Sequence, residues 1–162
     1  MAQTSGAGAV LQGLVRGAAA GAAGTTALNA VTYLDMAVRG RPTSNTPELT
    51  VEKLAQAAHV TIPGEGEKRE NRLAGLGPLS GLAPGIGVGA LLGAGYAARR
   101  TPGPVAGTLL CSIVVLLSAN APMTLLGIAD PRIWSAADWA SDIVPHLAYG
   151  ATVHGVLASY DN

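Results

Sequence analysis

The distribution of charge constrains this chain more than any other feature of its sequence. Four stretches contain no Asp, Glu, Lys or Arg, and they are 18, 26, 29 and 18 residues long. A helix rises about 1.5 Å per residue, so roughly 20 residues cross the apolar core of a bilayer. A water-soluble bundle would need a charged face on each helix. The pattern therefore predicts an integral membrane protein. The four stretches are residues 17–34, 73–98, 101–129 and 143–160.

We expect an all-α fold, an integral membrane four-helix bundle that consists of two helical hairpins. It forms a single membrane domain over residues 1–162. Ser135 followed by Asp138 predicts a capping box at the start of the last helix. The predicted spans are residues 10–38, 73–98, 104–129 and 136–160, with a polar connection over residues 39–72.

The polar connection is predicted to contain a short helix. Thr46 followed by Pro47 indicates a helix start, and apolar residues recur behind it at helical spacing up to about His59. The favoured interpretation is an amphipathic helix that lies on the membrane surface or caps the bundle. A docking helix for a partner is the alternative. The residues after Pro63 are expected to be flexible, and the next helix is expected to start at Leu73.

The composition excludes several classes of protein. Ten basic residues balance ten acidic ones, so the chain has no net positive charge with which to bind nucleic acid. The single cysteine, Cys111, excludes a disulfide framework and a CxxC site, and we expect it to be a small core residue. No cofactor and no metal are predicted. The expected partners are the lipid bilayer and either other membrane subunits or a second copy of the chain.

Glycines recur every four residues in the second span. Positions four apart share one helix face, and in lipid such small residues let two backbones approach closely. Close packing within one bundle is the favoured interpretation of this glycine ridge, while a homo-oligomer interface and a pore lining remain open. The ridge consists of Gly77, Gly81, Gly85, Gly89 and Gly93.

The first span has a related stripe, in which Gly13, Gly17 and Gly21 precede polar residues at the same spacing. Its glycines predict a second packing groove. Its polar half, which includes Asn29, offers hydrogen-bonding groups.

Ionisable residues recur every four positions in the last span, which is costly in a membrane and therefore marks a candidate functional site. A structural hydrogen-bond network is the favoured interpretation, and a proton- or ion-handling site is the alternative. A metal would need a further ligand from another helix. No catalytic residue is predicted. The candidate polar site comprises Asp142, His146, Tyr149 and His154, with Asn29 and Asn120 facing it from the first and third spans.

The last third of the chain carries a resemblance. Leu126-Gly127-Ile128, Pro131, Trp134 and the run from Asp142 to Gly150 resemble the final part of small bacterial inner-membrane proteins of the YagU type. The resemblance implies a multi-spanning protein of the bacterial plasma (inner) membrane and singles out His146 for testing. It implies no catalytic role.

The sequence thus favours a small membrane protein that acts as a structural or accessory subunit. The alternative is a proton- or ion-conducting or transporting homo-oligomer that uses the Asp/His residues of the last helix. An enzyme is less favoured. Seven basic residues on the side of the connection against three on the other favour a cytoplasmic connection.

Overall fold

The computed structural model describes residues 6–98 and 101–160. These residues form five α-helices and one turn of 3₁₀-helix, with no strand among them, so the all-α prediction is confirmed. By length and composition, α3 and α4 could cross a membrane. The helices are α1 (Gly6–Arg39), α2 (Thr46–Ala57), α3 (Gly66–Ala98), α4 (Pro104–Leu125) and α5 (Ala136–Ser159), and the 3₁₀ turn (Pro131–Ile133) precedes α5.

Helix α1 occupies the middle of the fold. It packs along α3 on one side and along α5 on the other, while α4 packs mainly on α5. The long helices therefore lie in the spatial order α3, α1, α5, α4, and α3 and α4 touch only slightly although five residues separate them in the chain. The small core lies between α1, α3, α4 and α5. It contains Ala20, Val88, Cys111, Val115, Tyr149, Val153 and Leu157.

Two helix ends follow the sequence signals closely. Ser135 and Asp138 form a full capping box, so α5 begins at Ala136 as predicted. Helix α4 ends before Gly127, which has a φ of +68° and closes a Schellman-type turn. In that turn the Ile128 N–H donates to the Met123 carbonyl oxygen at 2.9 Å. This stop comes earlier than residue 129, the predicted end of the span.

The start of α3 was predicted wrongly. The helix begins at Gly66 rather than at Leu73. Its first turns are charged, and they are held by α2 because Arg69 Nη2 lies 2.7 Å from Glu52 Oε1. Helix α2 itself begins at Thr46, as predicted, and packs mainly on the first half of α3, as far as Gly77.

A line of glycines joins α1 to α3, and we call it the glycine seam. The two helices run antiparallel, so Gly13 lies against Gly93 and Gly21 against Gly85. A Cβ atom added to Gly13 would lie 2.6 Å from the Gly93 carbonyl oxygen, and one added to Gly21 would lie 2.6 Å from that of Gly85. No side chain fits between the two backbones at Gly89 and Gly93, whereas Gly85 also lies against the side chain of Thr25. The seam consists of Gly13, Gly17 and Gly21 with Gly85, Gly89 and Gly93.

The N-terminal part of the predicted glycine ridge does not belong to this seam. Gly77 lies against Glu48 of α2, and a Cβ atom added to Gly81 would meet nothing within 4 Å. Each step of four residues shifts the position by about 40° around the helix axis. A long series of residues at this spacing therefore winds around the helix and cannot face one neighbouring helix throughout. Because α1 covers Gly85, Gly89 and Gly93, these three residues cannot also form a homo-oligomer interface.

Replacing Gly89 by Ala should destabilise the fold by about 1–3 kcal/mol, the usual cost of overpacking. The new Cβ atom would lie 2.5 Å from the Gly17 carbonyl oxygen and from Gly21 Cα, and these backbone atoms cannot swing aside. The measurement is the unfolding midpoint of the purified protein.

Gly87→Ala is the matched control, since a Cβ atom there meets nothing within 4 Å. It should leave stability unchanged or raise it by about 0.5–1 kcal/mol, because Ala is the better helix former. Equal effects of the two substitutions would contradict the seam.

Candidate functional site

The polar residues of α5 do not form one continuous row of interacting side chains. They divide into two clusters at different depths, with Tyr149 between them. Both histidines are buried, at 8% exposure for His146 and 6% for His154. They are eight positions apart in the chain, which is about 12 Å along a helix. The two clusters are therefore independent.

The first cluster joins α4 to α5 near the start of α5. Asn120 Nδ2 donates to Asp142 Oδ2 at 2.8 Å. His146 Nδ1 lies 2.7 Å from the backbone carbonyl oxygen of Asp142 and 3.4 Å from its Oδ1. Both neighbours are acceptors, so Nδ1 carries the proton and the tautomer of His146 is set. The Oδ1 atom of Asn120 is buried and has no hydrogen-bond partner among the described residues.

The second cluster joins α3, α4 and α5 near the other end of the bundle. The Tyr96 hydroxyl lies 3.0 Å from His154 Nδ1 and 3.6 Å from Cys111 Sγ. The imidazole of His154 packs where Gly107 of α4 has no side chain, and a Cβ atom there would overlap the ring. Cys111 is fully buried. Sequence reasoning missed Tyr96, whose one signal was a hydroxyl in a stretch otherwise made of Ala, Gly and Leu.

Tyr149 joins α5 to α3 across α1. Its ring is fully buried and fills the notch left by Gly24, where a Cβ atom would lie 2.8 Å from Tyr149 Cδ2. Its hydroxyl donates to the Gly85 carbonyl oxygen at 2.6 Å. A carbonyl oxygen has two lone pairs, so Gly85 can accept this bond as well as a helical one. Tyr149 thus connects α5 to both α1 and α3.

Asn29 was predicted wrongly as a member of this site. It is exposed on α1 and has no hydrogen bond to any described residue. The physical reason is helical drift, because four steps of four residues rotate Asn29 about 160° away from Gly13. Thr25, one turn earlier, still faces inward and donates to the Gly21 carbonyl oxygen at 2.9 Å.

The end of α1 is tied to the start of α5 by a charged cluster. Arg41 Nε lies 2.5 Å from Asp35 Oδ2, and Arg39 Nη1 lies 3.4 Å from Asp35 Oδ1. Arg39 also donates to Ser141 Oγ at 2.7 Å. This cluster orders the end of the bundle at which α2 lies.

A similar pair lies in the turn between α4 and α5. Asp130 is paired in a fork with Arg132, whose Nε and Nη2 donate at 2.9 Å to the two carboxylate oxygens. These bonds hold the pKa of the Asp130 carboxyl below its usual range.

Over residues 6–98 and 101–160, no group of three or more His, Cys, Asp or Glu side chains lies close enough to hold a metal ion. Asn120 and Asp142 instead bond to each other between α4 and α5, and His154 meets Tyr96 of α3.

Comparisons with protein-family models, with curated proteins and with solved structures gave no significant match. The resemblance to proteins of the YagU type therefore stays a prediction from the sequence.

Replacing Tyr149 by Phe should lower stability by about 1 kcal/mol, the usual net contribution of one hydrogen bond. The ring remains in place while the bond to the Gly85 carbonyl oxygen is lost. The measurement is again the unfolding midpoint.

Tyr33→Phe is the control, because Tyr33 is 62% exposed and no hydrogen bond of its hydroxyl is present among the described residues. Its stability should stay within about 0.5 kcal/mol of the wild type. If both variants lose the same free energy of unfolding, the hydrogen bond from Tyr149 to Gly85 does not stabilise the fold.

Proposed function

We propose that the chain is a small multi-spanning membrane protein, a four-helix bundle that serves as a structural or accessory subunit. The observation that carries this proposal is the apolar outer surface of α3 and α4. In each, only 28% of the most apolar 18-residue segment is buried inside the fold. A core helix of a soluble protein would bury most of that segment, whereas lipid solvates exposed Leu and Ile at no cost. Exposed examples are Leu79, Leu91, Leu109, Ile113 and Leu117.

Helices α1 and α5 complete the proposed bundle. Neither helix has an 18-residue segment as apolar as those of α3 and α4, because α1 is rich in Ala and Gly and α5 contains two His residues. At about 1.5 Å per residue, 34 and 24 residues are both longer than a bilayer core needs. In α5, Tyr149 and Asp142 turn inward to hydrogen bonds with α3 and α4, as membrane bundles require.

The two ends of the bundle support a membrane orientation. One end carries α2, the ion pairs of Asp35 and the basic residues of the connection. Trp134 and Trp139 lie at the same end, with ring centroids 5.0 Å apart, at the level where an interfacial aromatic belt would lie. This end carries more Lys and Arg residues than the other end, which favours its location on the cytoplasmic side of a bacterial plasma membrane.

A structural or accessory role is favoured over conduction by how the polar groups are used. The glycine seam is closed by backbone contact, and the Asp142 and His154 clusters are separate. Within the part of the chain that the structure describes, the polar side chains of α5 thus form bonds between helices rather than a continuous path. The outer faces of α3 and α4 remain free for lipid or for another membrane subunit.

The membrane assignment is tested by extraction of the membrane fraction with alkaline carbonate. The protein should stay in the pellet after carbonate and be released by a mild detergent, because its apolar surface needs lipid or detergent. A peripheral protein in the same cells is the control. Release by carbonate alone would contradict the membrane assignment.

The accessory role is tested by affinity purification in a mild detergent, followed by mass spectrometry. We expect the protein to co-purify in fixed proportion with a larger membrane complex, which an untagged chain should fail to enrich. Recovery only as a stable monomer or homo-oligomer would count against an accessory subunit while leaving the membrane assignment intact.

A further inference from the structure

A half-enclosed cavity lies at the end of the bundle opposite to α2. Its volume is about 190 Å³, and it opens where α1 meets the last turns of α3 and α5. Gly13 and Gly93, the last pair of the glycine seam, line it because the helices separate just beyond them. Four polar side chains also line it, those of Gln12, Arg16, Tyr96 and Tyr160.

Arg16 gives this cavity a positive charge that is not neutralised within the described residues. Its guanidinium carbon lies 4.6 Å from the centroid of the Tyr160 ring, which is a cation–π contact. No carboxylate lies within ion-pair distance of Arg16 among residues 6–98 and 101–160. The other described charged residues lie toward the opposite end, in the connection, the α4–α5 turn and the adjoining helix ends.

The stacked guanidinium is suited to an oxyanion. Contact with Tyr160 occupies one face of the planar group and leaves its N–H donors, which lie in the plane, available. Those donors form a fork that matches two oxygens of a phosphate. Across the cavity, the Tyr96 hydroxyl can accept a bond from His154 Nδ1 and still donate to a second group.

From this geometry we propose that the Arg16 cavity binds a phosphate group. The cavity lies at the ends of α3 and α5, so in a spanning bundle it is level with the lipid headgroups. The phosphate of an anionic lipid can therefore enter from the side, and free phosphate can enter from water. The lipid source depends on the proposed membrane location, whereas the phosphate chemistry does not.

The test measures binding of two probes to the whole protein purified in a mild non-ionic detergent. One probe is a short-chain phosphatidylglycerol, and the other is inorganic phosphate. Each is titrated by calorimetry against the wild type, Arg16→Gln and Arg132→Gln. Arg132 is the matched control, because it is exposed and lies at the opposite end in a pair with Asp130.

We expect phosphatidylglycerol to bind the wild type and Arg132→Gln alike, and to bind Arg16→Gln about tenfold more weakly, as loss of a charge-assisted fork implies. The same pattern with inorganic phosphate would assign the site to the free anion. Binding of neither probe, or equal weakening by both substitutions, would overturn the proposal.

Two further variants keep the test decisive if Arg16→Gln fails to fold. Arg16→Lys retains the charge but loses the fork, so affinity should fall less than in Arg16→Gln. Tyr160→Leu removes the stacking ring and should also weaken binding. Unchanged affinity in both variants would overturn the proposal. Release of the protein by carbonate would contradict the membrane location alone, since the inorganic phosphate titration needs no bilayer.

Discussion

The backbone contact between α1 and α3 is the interaction on which the rest of the structure depends. Along the glycine seam no Cβ atom separates the helices, so Gly17 and Gly89 approach with backbone against backbone. At this range the dispersion attraction between the two backbones holds the helices together. The seam places α1 in the middle of the bundle, where Gly24 then leaves room for the ring of Tyr149. Helix α5 is thereby positioned against both α1 and α3.

Hydrogen bonds between helices fix the position of α5 against α3 and α4, in addition to the seam between α1 and α3. Tyr149 reaches α3, Asp142 accepts from Asn120 of α4, and His154 meets Tyr96 of α3. A polar group left without a partner in apolar surroundings costs more than a formed bond contributes, so these pairs specify one arrangement of the helices. This explains why ionisable residues at regular spacing on α5 contact different helices instead of lining one path.

The two ends of the bundle differ in chemistry. At one end, acidic and basic side chains neutralise each other, as in the pairs of Asp35 with Arg41 and of Glu52 with Arg69. At the other end, the described residues leave Arg16 as a cation stacked on Tyr160 beside a cavity. Paired charges contribute to order, whereas a cation that no described carboxylate neutralises is suited to an anion from outside the chain.

Local signals in the sequence were enough to predict five helices, the capping box at Ser135 and the presence of a packing face, because these depend on neighbours within a turn or two. They placed the start of α3 too late, at Leu73 instead of Gly66. Only the tertiary structure decided which residues on those faces meet. Helical drift carries Asn29 and Gly81 away from the contacts that their spacing predicted. Tyr96 entered a polar cluster because three helices converge there, and no spacing along one helix contains that information.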